Sequence, residues 1–567
     1  MSAISSELLP PAPPLAAGGS PPNAWSLAAL TVAVLTALPV LAVLWLALFP
    51  SENVWGHLLS TVLPGYVKRT LLLMLGVGIG TLVIGVSTAW LVTMCRFPGR
   101  RLFEWALLLP FAVPAYVIAY VYTDLLEYAG PVQATLRAWF GWHGVADYWF
   151  PPIRSLGGAI VVMSLVMYPY VYLLSRAAFL EQSVSSLDAA RILGQGPWRI
   201  LFCVSLPMAR PAIAVGLSLV LMETLNDFGT VDYFAVRTLT AGIYDTWLGT
   251  GNLGGAAQIA AVMLLFVVAL LTLERRSRAK QRHYQAGRRL QPLPATTLRG
   301  WRALVAICAC LLPCFAGFGV PALVLLDYSL AQPAAFGSSA FRSYALNSLT
   351  LSTTAAFMAL LVGLLLGYSR RLAGGRLLTL AVRISSLGYA VPGAVLAIGV
   401  IVPFAAFDNA VDDFARGTLG ISTGLLLSGT VFAVIFAYVV RFLTIAAGSV
   451  EASLGRITPS MDLAARSLGH GPGRTLLRVH LPLMRGGMLT AALVIFVDCM
   501  KELPATLILR PFNFDTLATY VYQFASDELL ARCAPGALAI VLAGLLPVVL
   551  LSRTIDRSRE LASTAES

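Results

Sequence analysis

The sequence predicts an all-α polytopic membrane protein with about twelve transmembrane helices in two parallel six-helix repeats. Three observations carry that expectation. Hydrophobic residues fill 58% of the 567 positions and charged residues only 12%, about half the charged share of a soluble domain. Twelve apolar runs come close to or exceed the roughly 20 residues that cross a bilayer. A stretch of the first half also returns 275 residues later in the second.

The apolar runs fall at 27–49, 70–93, 105–125, 156–175, 211–229, 255–273, 303–327, 347–368, 384–404, 421–440, 486–505 and 535–552. Lipid offers the backbone no hydrogen-bond partner, so each run is expected to be helical. A membrane barrel would show alternating segments of about ten residues, whereas these runs are continuously apolar. Residues 1–25 are rich in Pro, Ala, Gly and Ser and hold no Lys or Arg. They read as a disordered cytoplasmic tail rather than a signal peptide.

The net charge of +12 raises the question of nucleic acid, and its placement answers it. With the N-terminus inside and twelve alternating helices, 29 of the 39 Lys and Arg fall on inside segments. Nine fall outside, and Lys501 lies within a predicted helix. This positive-inside bias predicts a bacterial inner-membrane chain, multi-pass, with both termini cytoplasmic and no nucleic-acid partner. The densest basic run, 274–302, holds Arg275, Arg276, Arg278, Lys280, Arg282, Arg288, Arg289, Arg299 and Arg302. It reads as a cytoplasmic linker, with a lipid patch as the alternative. The expected organisation is a tail (1–25), a first membrane half (26–273), the linker (274–302), a second half (303–553) and a second cytoplasmic tail (554–567).

The internal repeat is the most informative signal. DAARILGQGPWRILFCVSLPMAR at 188–210 and LAARSLGHGPGRTLLRVHLPLMR at 463–485 share 13 of 23 residues. A second echo pairs Ala112-Val113-Pro114 with Ala390-Val391-Pro392, in the third and ninth runs. Six helices per half give both halves the same orientation, as parallel repeats about an axis normal to the membrane. The repeated stretch falls on the inside, between the fourth and fifth spans of each half. It is too long and too structured for a simple connector. Residues 186–193 favour helix, Gly194 suits a left-handed stop, and Pro197 suits the start of a second short helix. Leu201 and Val204 share one face of that second helix, and Leu206-Pro207 is expected to end it before the fifth span. A helical hairpin on the cytoplasmic surface results, shaped to enter a groove on a partner.

Asp188-Ala189-Ala190, then Gly194, then Leu206-Pro207 resembles the EAA loop of ABC importer permeases. The second copy, Leu463-Ala464-Ala465 with Gly469, departs at the acidic position, where Asp462 stands one residue earlier. RFPGRRLFEWALLLPFAVPAYVIAYVY at 96–122, NDFGTVDYF at 226–234 and KELPATLILRPFNFDTLATYVY at 501–522 are similar to the fused ferric-iron permeases of that class. The resemblance spans approximately 60–552. It implies a transmembrane permease subunit of an ATP-driven importer, with each loop docking one of two copies of an ABC ATPase subunit. It also implies a periplasmic substrate-binding protein that delivers the ligand. Fused permeases for thiamine or phosphonates share parts of the pattern and stand as alternatives. A secondary transporter also fits six plus six helices, but leaves the paired hairpins unexplained.

No Gly-x-x-x-x-Gly-Lys-Ser/Thr loop is present: Lys68, Lys280 and Lys501 follow Val67, Ala279 and Met500. The chain is therefore expected to bind no cofactor and to be no enzyme, with ATP used by the partner ATPase. No catalytic or metal-ligating set emerges. Cys308, Cys310 and Cys314 read as small buried apolar residues. Four acids stand out as candidate pathway residues. Glu223 and Asp227 recur 275 residues later as Asp498 and Glu502, each pair on one helix face. A charge inside a bilayer turns towards protein or a cavity, so the two pairs would surround a pathway suited to a cation. A helix end near the outer surface, or neutralisation by Lys501, is the structural alternative. Tyr116, Tyr120, Tyr168, Tyr170 and Tyr172 supply hard oxygen atoms of the kind ferric iron prefers, or else plain aromatic packing.

Overall fold

The computed structural model describes residues 24–50, 54–182, 184–279, 296–385 and 387–564. The N-terminal tail, apart from Ala24 and Trp25, lies outside the described residues, as do Lys280, Arg282, Arg288 and Arg289 of the linker. Eleven described helices are long and apolar enough to cross a membrane, and a bent pair makes a twelfth. The first half supplies Ala24–Leu48, Leu63–Met94, the bent pair, Leu156–Leu180, Trp198–Asn226 and Leu253–Glu274. The second supplies Trp301–Ala331, Ser339–Ala373, Gly393–Leu419, Val431–Leu454, Pro472–Met500 and Leu530–Val548. These twelve follow one another in the predicted order.

The repeated Ala-Val-Pro does not sit inside helices, as the sequence suggested, but at helix breaks. In the third span Arg100–Ala112 meets Ala115–Phe140 at 91°. Val113 and Pro114 between them are extended, and Val391 and Pro392 repeat the geometry. Proline pushes the residue before it out of the helical region and has no N–H to donate. The ninth span therefore starts at Gly393 rather than 384, and the tenth runs over Val431–Leu454 rather than 421–440. The shift carries Arg441 from the predicted inside edge into a span.

A second correction concerns Pro207. It does not end the hairpin's second helix, because Trp198–Asn226 is continuous through it. A wide π-turn at Leu201–Ser205 precedes it, and Leu476–His480 repeats that turn ahead of Pro482. A π-turn shifts carbonyls to partners five residues on, which lets the helix tolerate a missing N–H.

The two chain halves are also not the two packing units. The first span packs on the eighth and ninth spans and on the short helix Arg376–Ser385, all in the second half, as well as on the sixth. Its Pro39 carbonyl lies so close to Gly399 that any side chain there would collide with it. The seventh span returns the embrace: Tyr122 Oη donates to the Ala316 carbonyl at 2.7 Å and Cys314 Sγ to Ala106 at 3.2 Å. Each half's leading helix is thus exchanged onto the other, and apolar burial there ties the halves together. Where the linker re-enters the described structure, Thr296–Thr297 pairs in parallel with Cys95–Arg96.

Candidate functional site

Two hairpins and one central cavity collect the residues singled out in the sequence. The first hairpin joins Val184–Ile192 to Pro197–Ile200, and the second joins Pro459–Ser467 to Pro472–Thr475. Gly194 and Gly469 turn between them at φ +73° and +75°. The backbone closes each turn the same way. Gln195 N–H donates to Ala190 at 3.0 Å and Gly194 N–H to Arg191 at 2.8 Å; His470 to Ala465 and Gly469 to Arg466 repeat them at 3.0 and 2.9 Å. This paired pattern is the Schellman stop that a left-handed glycine allows.

The alanine pair divides its work. Ala190 and Ala465 are buried against the body, while Ala189 and Ala464 face out. Around them Ile192, Leu193, Trp198 and Phe202 stand exposed on the first hairpin, and Leu463, Leu468 and Leu477 on the second. Asp188 is half-exposed and reaches Arg191 at 3.8 Å. Asp462 has a different role. It occupies the place of the buried Leu187 and pairs inward with Arg371 at 2.8 Å and His480 at 2.7 Å. Arg371 also donates to the Leu454 and Ile457 carbonyls. The one-residue shift of the acid thus turns it from the surface into a brace, and Leu463 takes the outward position.

All four pathway carboxylates line one cavity of about 110 Å³ between the halves. Its walls come from the third-span break, the fourth, fifth, tenth and eleventh spans, and Tyr389 beside the ninth. Trp198–Asn226 has 29 residues, a rise of about 43 Å. That exceeds a hydrocarbon core of about 30 Å, so the acids lie far from the hairpins, towards the opposite membrane face.

Within the cavity the repeat splits into two kinds of acid. Asp227 and Glu502 lie just beyond their helices and cap the short helices that follow. Asp227 accepts from Thr230 N–H at 3.0 Å and Val231 N–H at 3.2 Å; Glu502 accepts from Ala505 and Thr506 N–H, each at 3.1 Å. Glu223 and Asp498 instead meet side chains: Tyr389 hydrogen-bonds Glu223, and Lys501 pairs with Asp498 at 2.8 Å. Lys501 does neutralise an acid, as the structural alternative held, yet the acid still faces a cavity.

Sequence inspection missed Arg441 and Asn226. Arg441 is buried, pairs with Glu502 at 3.3 Å and donates to Asn226 Oδ1 at 3.0 Å across the two halves. Asn226 Oδ1 also accepts from Gly393 N–H at 2.7 Å. An arginine at the edge of an apolar run was the available signal, hidden by placing the tenth span ten residues early. Of the five tyrosines, Tyr116 and Tyr170 line the cavity. Tyr120, Tyr168 and Tyr172 are buried outside its lining, and Tyr172 Oη donates to the Glu104 carbonyl at 2.9 Å.

Comparison with known proteins places this architecture. The profile of the binding-protein-dependent transport system inner membrane component matches twice, at 81–283 and 359–561. The Fe(3+)-transport system permease protein FbpB 2 of Haemophilus influenzae is 27% identical over 491 residues, covering 86% of this chain and 89% of the relative. The molybdenum transport system permease protein ModB of Escherichia coli K12 is 30% identical over 201 residues, 34% of this chain and 84% of the relative. A putative 2-aminoethylphosphonate transport system permease protein, PhnU of Salmonella choleraesuis, is 29% identical over 202 residues, 35% of this chain and 68% of its own length. Two matched domains, a pseudo-twofold set of spans and two surface hairpins agree: the chain belongs to the inner-membrane components of binding-protein-dependent transport systems, as a fused, multi-pass ABC transporter permease.

Proposed function

We propose that this permease imports ferric iron, delivered by a periplasmic binding protein and driven by two ABC ATPase subunits, one on each hairpin. The observation that carries the cargo assignment is the extent of likeness to the Fe(3+) permease, which runs through both halves, whereas the molybdenum and phosphonate relatives match about a third of the chain. Charge supports the same choice. Four carboxylates against Arg441 and Lys501 leave the cavity a formal excess of two negative charges. Such a field favours a cation and repels the oxyanions that molybdenum and phosphonates form in water.

The exposed apolar side chains of each hairpin supply the ATPase contact, and the left-handed glycines fix their presentation. The chain itself binds no cofactor; ATP is hydrolysed by the partner, and both termini face the cytoplasm with the basic segments. Deleting the gene and measuring binding-protein-dependent uptake of radioactive iron tests the assignment. Loss of iron uptake, restored by the gene in trans, is expected. Intact iron uptake with loss of molybdate or phosphonate uptake overturns it.

A further inference from the structure

We propose that Glu223, Asp498 and Tyr116 form a binding site for a multiply charged cation, and that Arg441 and Lys501 are its resident counter-ions, exchanged for the cargo during transport. The inference rests on the cationic cargo proposed above. Its first support is an asymmetry in the duplication. Both acidic pairs occur in both halves, but the cations do not: at the offset of 275, Arg441 faces Val166 and Lys501 faces Asn226. The bases belong to the second half alone, superimposed on a symmetric ring of acids.

The acids are not equivalent either. Asp227 and Glu502 are committed to backbone N–H groups at helix starts. Glu223 and Asp498 meet the side chains of Tyr389 and Lys501, which rotate away at little cost to the backbone. A further oxygen is already in place. Tyr116 lines the cavity, is 5% exposed, and its Oη is buried without a hydrogen-bond partner among the described residues. A buried hydroxyl left unpaired is costly unless something binds it.

Arg441 has the geometry of a placeholder rather than a strut. A well-held guanidinium grips a carboxylate through two parallel bonds. Here Nη1 alone serves both Glu502 and Asn226, and Nε is buried without a partner among the described residues. Lys501 is a point charge on a flexible stem, suited to swinging out. With both bases in place the cavity holds an excess of two negative charges, and with both withdrawn four. Moving two side chains therefore switches the site from weak to strong attraction, which a carrier needs in order to capture and then release.

Terbium(III), a hard trivalent ion whose luminescence nearby tyrosines sensitise, serves as the probe on the purified full-length chain. We expect the double variant Arg441→Gln/Lys501→Gln to bind terbium at least tenfold more tightly than wild type. Adding Glu223→Gln and Asp498→Asn should abolish the gain. Lys501→Gln alone, which leaves the Arg441–Glu502 pair intact, should show a gain in the same direction and covers a double variant that fails to fold. Equal affinity in wild type and Lys501→Gln, or a gain that survives loss of Glu223 and Asp498, overturns the site. Iron uptake by cells reads the cargo separately. A terbium gain in a chain that carries another cation refutes iron and keeps this site, while iron uptake with no terbium gain refutes this site alone.

Discussion

Replacing Gly194 or Gly469 by valine isolates what the hairpin turn contributes to ATPase docking. Both glycines hold φ near +75°. An L-residue in that region costs roughly 1–2 kcal/mol, and a β-branched one sits at the upper end. A Cβ built at either position meets nothing within 4 Å, so no clash adds to the backbone cost and the membrane body is untouched. At about 1.4 kcal/mol per factor of ten, 1–2 kcal/mol lowers the population of the native turn roughly 5- to 30-fold. The outward set Ile192, Leu193 and Trp198 depends on that turn for its placement. We therefore expect Gly194→Val and Gly469→Val each to weaken ATPase binding by about that factor, with normal membrane insertion. Asn tolerates the left-handed region better than other L-residues, so Gly194→Asn should recover most of the affinity. The assay is titration of the detergent-solubilised permease with fluorescent ATPase subunit. Wild-type affinity in both valine variants, or asparagine as damaging as valine, would refute the reasoning.

The two kinds of cavity acid should respond differently. Glu502→Gln removes the partner of the buried Arg441, a loss of about 3–5 kcal/mol, and should appear as poor recovery of folded protein on size-exclusion chromatography. Asp498→Asn and Glu223→Gln should instead insert and assemble normally while uptake falls at least tenfold, read as radioactive iron accumulation in cells. Arg371→Met should strip Asp462, Leu454 and Ile457 of a shared donor and lower stability by about 1–3 kcal/mol; ATPase binding should weaken at the second hairpin while the first, lacking this brace, keeps its share in a cross-linking assay.

Much of this was legible because membrane helices announce themselves by composition. The order of the spans, the duplication and both left-handed glycines follow from apolar length, a fixed offset and the rarity of stops other than glycine. Three features were hidden, each for a physical reason. Hydropathy reports apolar runs and not backbone geometry, so the apolar Ala-Val-Pro breaks at 112–114 and 390–392 read as helix interior. Pro207 looked like a stop, but a preceding π-turn absorbs it. The exchange of the first and seventh spans depends on tertiary packing such as Pro39 against Gly399, which leaves no periodic mark in a single sequence. The acids of the cavity were found because they repeat; Arg441 was not, because it occurs once.

The most direct test of the account is reconstitution of the purified permease in proteoliposomes with its ATPase inside and its iron-loaded binding protein outside. Accumulation of radioactive iron that requires ATP, the binding protein and intact hairpin glycines is the predicted result. Accumulation driven by an ion gradient in the absence of ATP, or ATP-dependent uptake of molybdate with iron left outside, would contradict it.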